Sequence, residues 1–452
     1  MISMLLSEAA ASLQCELAGA DQVFNGCSTD SRSVGEGELF IALRGDRYDG
    51  HEYVGQALGR GAVAAMVESR YTDRETKPLL IVDDTRTAMG TLAGYWRGCF
   101  QIPLVAVTGS NGKTTVKEMV TSVLSQEAPV LSTRGNLNND IGVPMTLFSL
   151  NGRHRYAVIE MGANHPGEIA ALTRMARPTV ALITQCAPAH LAGFGSIEGV
   201  ARAKAEIFEG LDQGGTAIIN ADDDYAGLWY EKVQGLRQVS FSMKPGADVH
   251  ATAVTLEPAL GGSQFTLQCG AMHTRVSLPL PGIHNIQNAL AAAACCFALG
   301  IGLDTIRAGL EQVKSIRGRL QLKQGKQGVR ICDDTYNANP ASLRAALQAV
   351  AACPGRHWLI LGDMGELGDS AEPLHYAAGE EARAAGFEKL FALGPLSARA
   401  VAGFGAGALH FSSVDSLIDT LNASLAADIC VLVKGSRAMG MERIVQAIGG
   451  DN

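Results

Sequence analysis

The stretch Pro103-Leu-Val-Ala-Val-Thr-Gly-Ser-Asn-Gly-Lys-Thr-Thr115 decides how this chain folds. Pro103 to Val107 is an apolar run of strand length, and a helix is expected to start near Lys113. Between them, glycines let backbone N–H groups close on phosphate oxygens, and the start of the helix adds its dipole. Lys113 has the reach for terminal phosphates, and the Thr114 hydroxyl is of the type that ligates Mg²⁺. The general Walker spacing wants a glycine where Val107 stands, so the loop is a variant of that pattern. A glycine turn that merely joined strand to helix would not need the Gly-Lys-Thr-Thr ending. Thr108, Gly109, Ser110, Asn111, Gly112, Lys113, Thr114 and Thr115 are therefore expected to bind ATP. Kinases, ATPases and ligases share such loops, so the use made of the phosphate must be read elsewhere.

Outward from the loop, strand and helix alternate through Ala157 to Met161, Val180 to Thr184 and Ala217 to Asn220. That alternation implies a largely parallel sheet with right-handed crossovers. A glycine- and polar-rich segment, Asp248 to Pro281, has the weak alternation of a small antiparallel addition before a helix at Asn285 to Leu299. From Ser315 a second alternation begins, with strands expected at Val329 to Cys332, His357 to Leu361, Lys389 to Leu393 and Cys430 to Val433. Before Phe100 the chain mixes short strands such as Leu39 to Leu43 with glycine turns and a helix near Tyr53 to Arg60, and Met1 to Glu16 reads as a short amphipathic helix. The expected fold class is α/β with three domains: a small α/β domain over 1–100, a central phosphate-loop domain with a parallel sheet over 101–314, and a Rossmann-like α/β domain over 315–452.

The 452 residues exceed what one core usually organises, and 47% hydrophobic with 18% charged residues is a globular balance. A net charge of -8 argues against a nucleic-acid or anionic membrane partner, so any phosphate site must be local. The ten cysteines form no CxxC pair, which suits free thiols in a reducing compartment. Ala289 to Leu303, the longest apolar stretch, is short for a membrane span and rich in alanine, as a buried helix would be. A cytoplasmic protein without stable membrane insertion is expected.

Two further residues fall where a sheet of this kind collects ligands, and a third, Lys204, sits in a helix. Glu160 ends a strand just before Gly162, a position for a magnesium ligand at the carboxyl edge. An isolated glutamate there would more often cap a loop; the neighbouring phosphate loop shifts the balance. His190 follows the strand ending at Thr184 and lies on the same edge, where a neutral imidazole can coordinate or hydrogen-bond near a metal. Lys204 sits in the helical stretch Gly199-Val-Ala-Arg-Ala-Lys-Ala-Glu-Ile-Phe208, and periodicity alone makes it a solvated lysine.

The phosphate loop, Glu160, His190 and Lys204, in that order, resemble the central domain of the Mur ligase family. Gly282-Ile-His-Asn-Ile-Gln-Asn-Ala-Leu290 resembles that family's adenine-side motif, with Asn285 and Asn288 as polar contacts. Gly318-Arg319 resembles its interdomain phosphate-binding arginine, and Asp333-Asp-Thr-Tyr-Asn-Ala-Asn-Pro340, with Asp334, its carboxy-domain nucleotide loop. Folylpolyglutamate synthases share much of this skeleton. Ser28-Thr-Asp-Ser-Arg32, Gly37-Glu-Leu-Phe-Ile-Ala-Leu43 with Asp49-Gly-His51, Gly135-Asn-Leu-Asn-Asn-Asp-Ile-Gly142, Leu361-Gly-Asp-Met-Gly-Glu-Leu-Gly368 and Val433-Lys-Gly-Ser-Arg437 look like the family member that adds D-alanyl-D-alanine.

The resemblance implies a monomeric ATP- and Mg²⁺-dependent amide ligase that joins D-alanyl-D-alanine to UDP-N-acetylmuramoyl-tripeptide through an acyl phosphate. It implies Lys113, Glu160, His190 and Lys204 as catalytic residues, with Thr114, Glu160, His190 and Lys204 around the metal. Ser31 and Arg32 would help hold the UDP end, and Asn138 and Asn139 would lie near the muramoyl group. Serine and asparagine in glycine-rich loops most often satisfy turn backbone. It further implies that CO₂ carbamylates Lys204, which requires a neutral amine and hence a lowered pKa. Asp363 and Glu366 are candidate dipeptide contacts, although acids are common in surface loops.

Overall fold

A computed structural model describes residues 1–73, 78–188, 191–257 and 261–450. The strand Leu104–Thr108 is buried along its whole length, as a continuous apolar run must be when helices cover both faces of a sheet. It lies inside a nine-stranded sheet of order Val130–Ser132, Tyr156–Glu160, Leu104–Thr108, Val180–Ile183, Thr216–Asn220, Arg237–Ser242, Val249–Leu256, Ser263–Cys269 and Met272–Leu278. The first seven run parallel. Tyr156–Glu160 and Val180–Ile183 flank Leu104–Thr108 on opposite sides, so the carboxyl end of this strand is the topological switch point where open α/β sheets bind ligands.

The antiparallel addition is present, and its last two strands extend the main sheet instead of standing apart. Ser263–Cys269 alternates buried and half-buried residues, the pattern of a strand with one covered face. The helix Ile283–Ala298 buries Cys295 and Cys296 together, because it is covered nearly all round and neighbours that diverge still meet protein. No helix among the described residues is long and apolar enough to cross a membrane.

The first hundred residues carry a five-stranded sheet of order Glu16–Ala18, Leu79–Val82, Ala64–Glu68, Leu39–Ile41 and Cys27–Ser28, parallel except for its first pair. Met1 to Glu16 is helical only over Leu6–Leu13; Ser3–Leu5 is a strand paired antiparallel with Val23–Asn25. Leu6, Phe24 and Leu92 share one apolar cluster with Leu104, Phe148 and Trp229, so this lobe packs directly on one face of the central sheet. Buried Arg97 rivets the joint, donating to the carbonyls of Ala176, Phe100 and Ile102 at 3.0, 2.6 and 3.0 Å.

The carboxy-terminal sheet has six strands, in the order Gln321–Gln324, Arg330–Asp334, Ile429–Lys434, Arg356–Gly362, Lys389–Leu393 and Ala408–Phe411. All but the first pair run parallel, and separate apolar clusters cover the two faces. That is a doubly wound, Rossmann-like layer arrangement.

Candidate active site

The phosphate loop is held by the ends of its neighbouring strands. Thr108 Oγ1 donates to Met161 O at 2.8 Å, Ser110 N to Gln185 O at 2.8 Å, and Thr184 Oγ1 to Asn111 O at 2.6 Å. Both glycines are required. Gly109 has φ +149° and a Cβ there would meet Thr184 Oγ1 at 1.8 Å; Gly112 has φ +81° and a Cβ would meet Asn288 Oδ1 at 2.4 Å. Lys113 Nζ lies back on the loop, donating to Gly109 O at 2.7 Å. Burial lowers its pKa, the Glu160 carboxylate opposes that, and Arg319 adds to the lowering.

The three lobes meet at a cavity of ≈ 850 Å³ whose walls include Lys113, Asn138, Glu160, Lys204, Arg319 and Glu366. Glu160 is 2% exposed. Its N–H donates to Thr133 Oγ1 at 3.0 Å, and its Oε1 accepts from Asn138 Nδ2 at 2.8 Å. Oε2 is buried with no hydrogen-bond partner. A buried carboxylate oxygen without a donor is expensive, and a hard cation is the partner that suits it. Thr114 is buried at the start of the helix Lys113–Leu124.

Lys204 is 3% exposed on the helix Ile197–Ala205, not solvated as periodicity alone would have it. Burial brings its pKa down from 10.5 to about 7, and the charge of Lys113 pushes the same way. At that value the neutral amine is plentiful near neutral pH. Among the described residues no cluster of three or more His, Cys, Asp or Glu side chains is arranged for a metal. The sequence-derived set relies instead on a hydroxyl, one carboxylate, Lys204 and His190, and His190 lies outside the described residues.

A second cavity, of ≈ 160 Å³, continues from Gly112 between the central and carboxy-terminal lobes, with Asn285, Asn288, Arg319, Asp334 and Lys434 in its walls. Asn285 Nδ2 donates to Pro281 O at 2.8 Å, and Asn288 Nδ2 donates to Asn285 Oδ1 at 3.1 Å. Arg319 stacks its guanidinium 4.1 Å from the centre of the Tyr336 ring and reaches Thr114 Oγ1 at 3.4 Å, while its Nε is buried without a partner. Asp334 accepts from Leu320 N at 3.1 Å and pairs with the Lys434 ammonium, which also donates to Asn337 O at 2.9 Å.

Two contributors lie inside the quoted motifs but have no role of their own in the sequence reading. Asn339 caps the helix Pro340–Ala351 and donates to Asn111 Oδ1 at 2.7 Å, joining the carboxy-terminal lobe to the phosphate loop. The Asn-Pro boundary signals the cap, but nothing local signals the partner. Lys434 faces Asp334 because the two are register partners on adjacent parallel strands, which sequence alone does not align.

Other candidates stand apart. Ser31 and Arg32 line neither cavity: Ser31 Oγ donates to Gln56 Oε1 at 3.0 Å, and Arg32, its side chain 81% exposed, pairs with Asp30 at 2.8 Å. Asn139 lines the larger cavity, yet its Oδ1 accepts from Gly142 N at 2.9 Å, the turn-satisfying use expected of such a residue.

Three family models match along the chain: a Mur ligase family catalytic domain over 23–97, a Mur ligase middle domain over 107–296, and a Mur ligase glutamate ligase domain over 318–437. The UDP-N-acetylmuramoyl-tripeptide--D-alanyl-D-alanine ligase of Escherichia coli strain K12 is 46% identical over 450 residues, with 99% of each chain covered. A crystal structure of MurF from Acinetobacter baumannii superposes with a TM-score of 0.93 at 37% identity, covering 99% of both chains. MurF of Thermotoga maritima, solved in complex with ADP, gives a TM-score of 0.83 at 26% identity, covering 94% of this chain and 97% of that one.

Proposed function

As the chain belongs to the Mur ligase family, we propose that it spends ATP to join D-alanyl-D-alanine to UDP-N-acetylmuramoyl-tripeptide, a step in making peptidoglycan precursor. The carrying observation is the convergence of Lys113, Glu160, Lys204 and Arg319 on one cavity at the switch point of the central sheet. The substrates are those in the name of the Escherichia coli relative, and ADP is the ligand of the Thermotoga maritima one.

A carboxylate is a poor acyl donor because oxide would have to leave. In this reading the tripeptide carboxylate attacks the γ-phosphorus of ATP, ADP departs, and an acyl phosphate forms. The dipeptide amine then attacks the acyl carbon, loses a proton, and expels inorganic phosphate. Lys113 exchanges the Gly109 carbonyl for phosphate oxygens and takes up the charge that develops on them. Arg319 approaches the same phosphates from the other lobe, so nucleotide favours the closed arrangement.

Thr114 Oγ1 and the unpartnered Glu160 Oε2 would hold Mg²⁺, whose charge neutralises the phosphates, and the resemblance adds His190 to that set. Lys204, with its lowered pKa, meets the condition for reaction with CO₂, in which the amine nitrogen bonds carbon and releases a proton to give an anionic carbamate for a second cation. Asn285 and Asn288 would take the adenine side.

Residues 1–100 would hold the UDP end through Ser31 and Arg32, 101–314 the ATP, and 315–452 the dipeptide, with Asn138 and Asn139 toward the muramoyl group. A cytoplasmic location is the reading that goes with its free cysteines, and a monomer is the state the resemblance implies. Phosphate release is measured with ATP, UDP-N-acetylmuramoyl-tripeptide and D-alanyl-D-alanine. Release that requires both is expected; release with folate and glutamate instead would overturn the assignment.

A further inference from the structure

One fully buried cation plays no part in the mechanism above. Lys117 is 1% exposed and follows Lys113 by four residues on the helix Lys113–Leu124, hence on the same helix face. Its ammonium pairs with Glu118, whose side chain is 41% exposed, and donates to Thr133 O at 2.9 Å. Burying an amino group for one carbonyl and one half-solvated carboxylate is a poor stability device, and an apolar side chain of similar length would serve a core as well or better. Its value lies in what Thr133 holds.

Thr133 is itself buried and follows the short strand Val130–Ser132. Its N–H donates to Val158 O at 3.1 Å, and its hydroxyl accepts from the backbone N–H of Glu160 at 3.0 Å. Five residues on, Asn138 donates to Glu160 Oε1 at 2.8 Å and accepts from Gly162 N at 2.8 Å. The segment 133–138 thus clasps Glu160 at its backbone and at one carboxylate oxygen, leaving Oε2 free. Lys117 pins the end of the clasp that carries no side-chain contact to the carboxylate.

We propose that Lys117 is a positioning residue for the cation site: by fixing Thr133 it sets the direction in which Glu160 presents Oε2. This rests on reading Glu160 as a magnesium ligand. Groups of this kind behind a metal ligand typically change metal affinity by roughly 10-fold or more when removed.

The test titrates Mn²⁺ into the full-length enzyme with ADP and no peptide substrate, following free Mn²⁺ by electron paramagnetic resonance. Lys117→Met is expected to weaken Mn²⁺ binding by roughly 10-fold while leaving the KM for D-alanyl-D-alanine unchanged. Thr133→Val, which keeps the carbonyl and deletes the acceptor for Glu160 N–H, is expected to weaken it similarly, and the double variant less than the product of the two. Wild-type Mn²⁺ affinity in Lys117→Met overturns the proposal, even with a lowered melting temperature, since the lysine would then serve the fold alone. If Lys117→Met fails to fold, Thr133→Val decides on the same criterion. A wild-type enzyme that binds ADP without Mn²⁺ would overturn the magnesium reading of Glu160 itself, whereas a failed amide assay would overturn only the choice of substrates.

Discussion

The central sheet and the carboxy-terminal sheet present their carboxyl edges to the same interlobe space, and the two edges are built on opposite principles. On the central edge, Glu160 keeps a buried oxygen unpartnered, Lys204 is buried with a pKa brought down to about 7, and Lys113 rests on a carbonyl of its own loop. On the carboxy-terminal edge, Asp334 and Lys434 satisfy each other, and the remaining bonds go to Leu320 N and Asn337 O. Groups left short of partners are held ready for a ligand at some cost in stability; groups that satisfy each other hold the wall in shape. Substitutions on the first edge should therefore cost turnover, and on the second stability.

The sharpest break in the comparison comes from Lys113→Ala. Turnover, followed as phosphate release, should fall on the order of 10³-fold, with little change in melting temperature. A melting temperature that fell along with activity would show that this edge is structural after all. Asp334→Ala should do the reverse, leaving the Lys434 ammonium buried and unpaired and lowering unfolding free energy by about 3 kcal/mol, measured by denaturant titration.

Lys204→Met sharpens the contrast through pH. The unfolded chain keeps this proton up to about 10.5, whereas the folded chain releases it above about 7. The unfolded state thus binds more protons in that window, so stability rises with pH across it, and below it the ammonium is buried at a cost. Lys204→Met should lose roughly 10²-fold in turnover yet melt no lower than wild type at pH 6 and show a flatter rise toward pH 10. Bicarbonate should raise wild-type activity and leave the variant unchanged. The smallest effect belongs to Arg32→Ala. A solvated pair with Asp30 should leave the melting temperature where it was, while the KM for the UDP-linked substrate rises.

Legibility in the sequence followed the range of the interaction. The phosphate loop, the strand ends at Glu160 and Thr184 and the helix carrying Lys204 are local patterns, and the structure brings Lys113 and Glu160 together at the shared sheet edge, with Lys204 in the same cavity. The burial of Lys204 was not local: its helix packs into the protein on a face that periodicity alone does not mark as apolar. Met1 to Glu16 went astray for a similar reason, since Ser3–Leu5 is extended only because Val23–Asn25 is there to pair with it. Ser31 and Arg32 show the converse, residues quoted from a motif whose present partners are Gln56 and Asp30.

By itself the sequence determined the α/β class, the phosphate loop and the order of its charged residues, because glycine conformations, apolar runs and strand-end positions are properties of a few consecutive residues. Only the tertiary structure decided that Arg319 meets Thr114, that Asn339 meets Asn111, that Asp334 meets Lys434, and that Lys117 is spent on Thr133. Those pairings depend on strand register and on the seating of one lobe against another. Both are set by packing over the whole molecule, and no short stretch of chain records them.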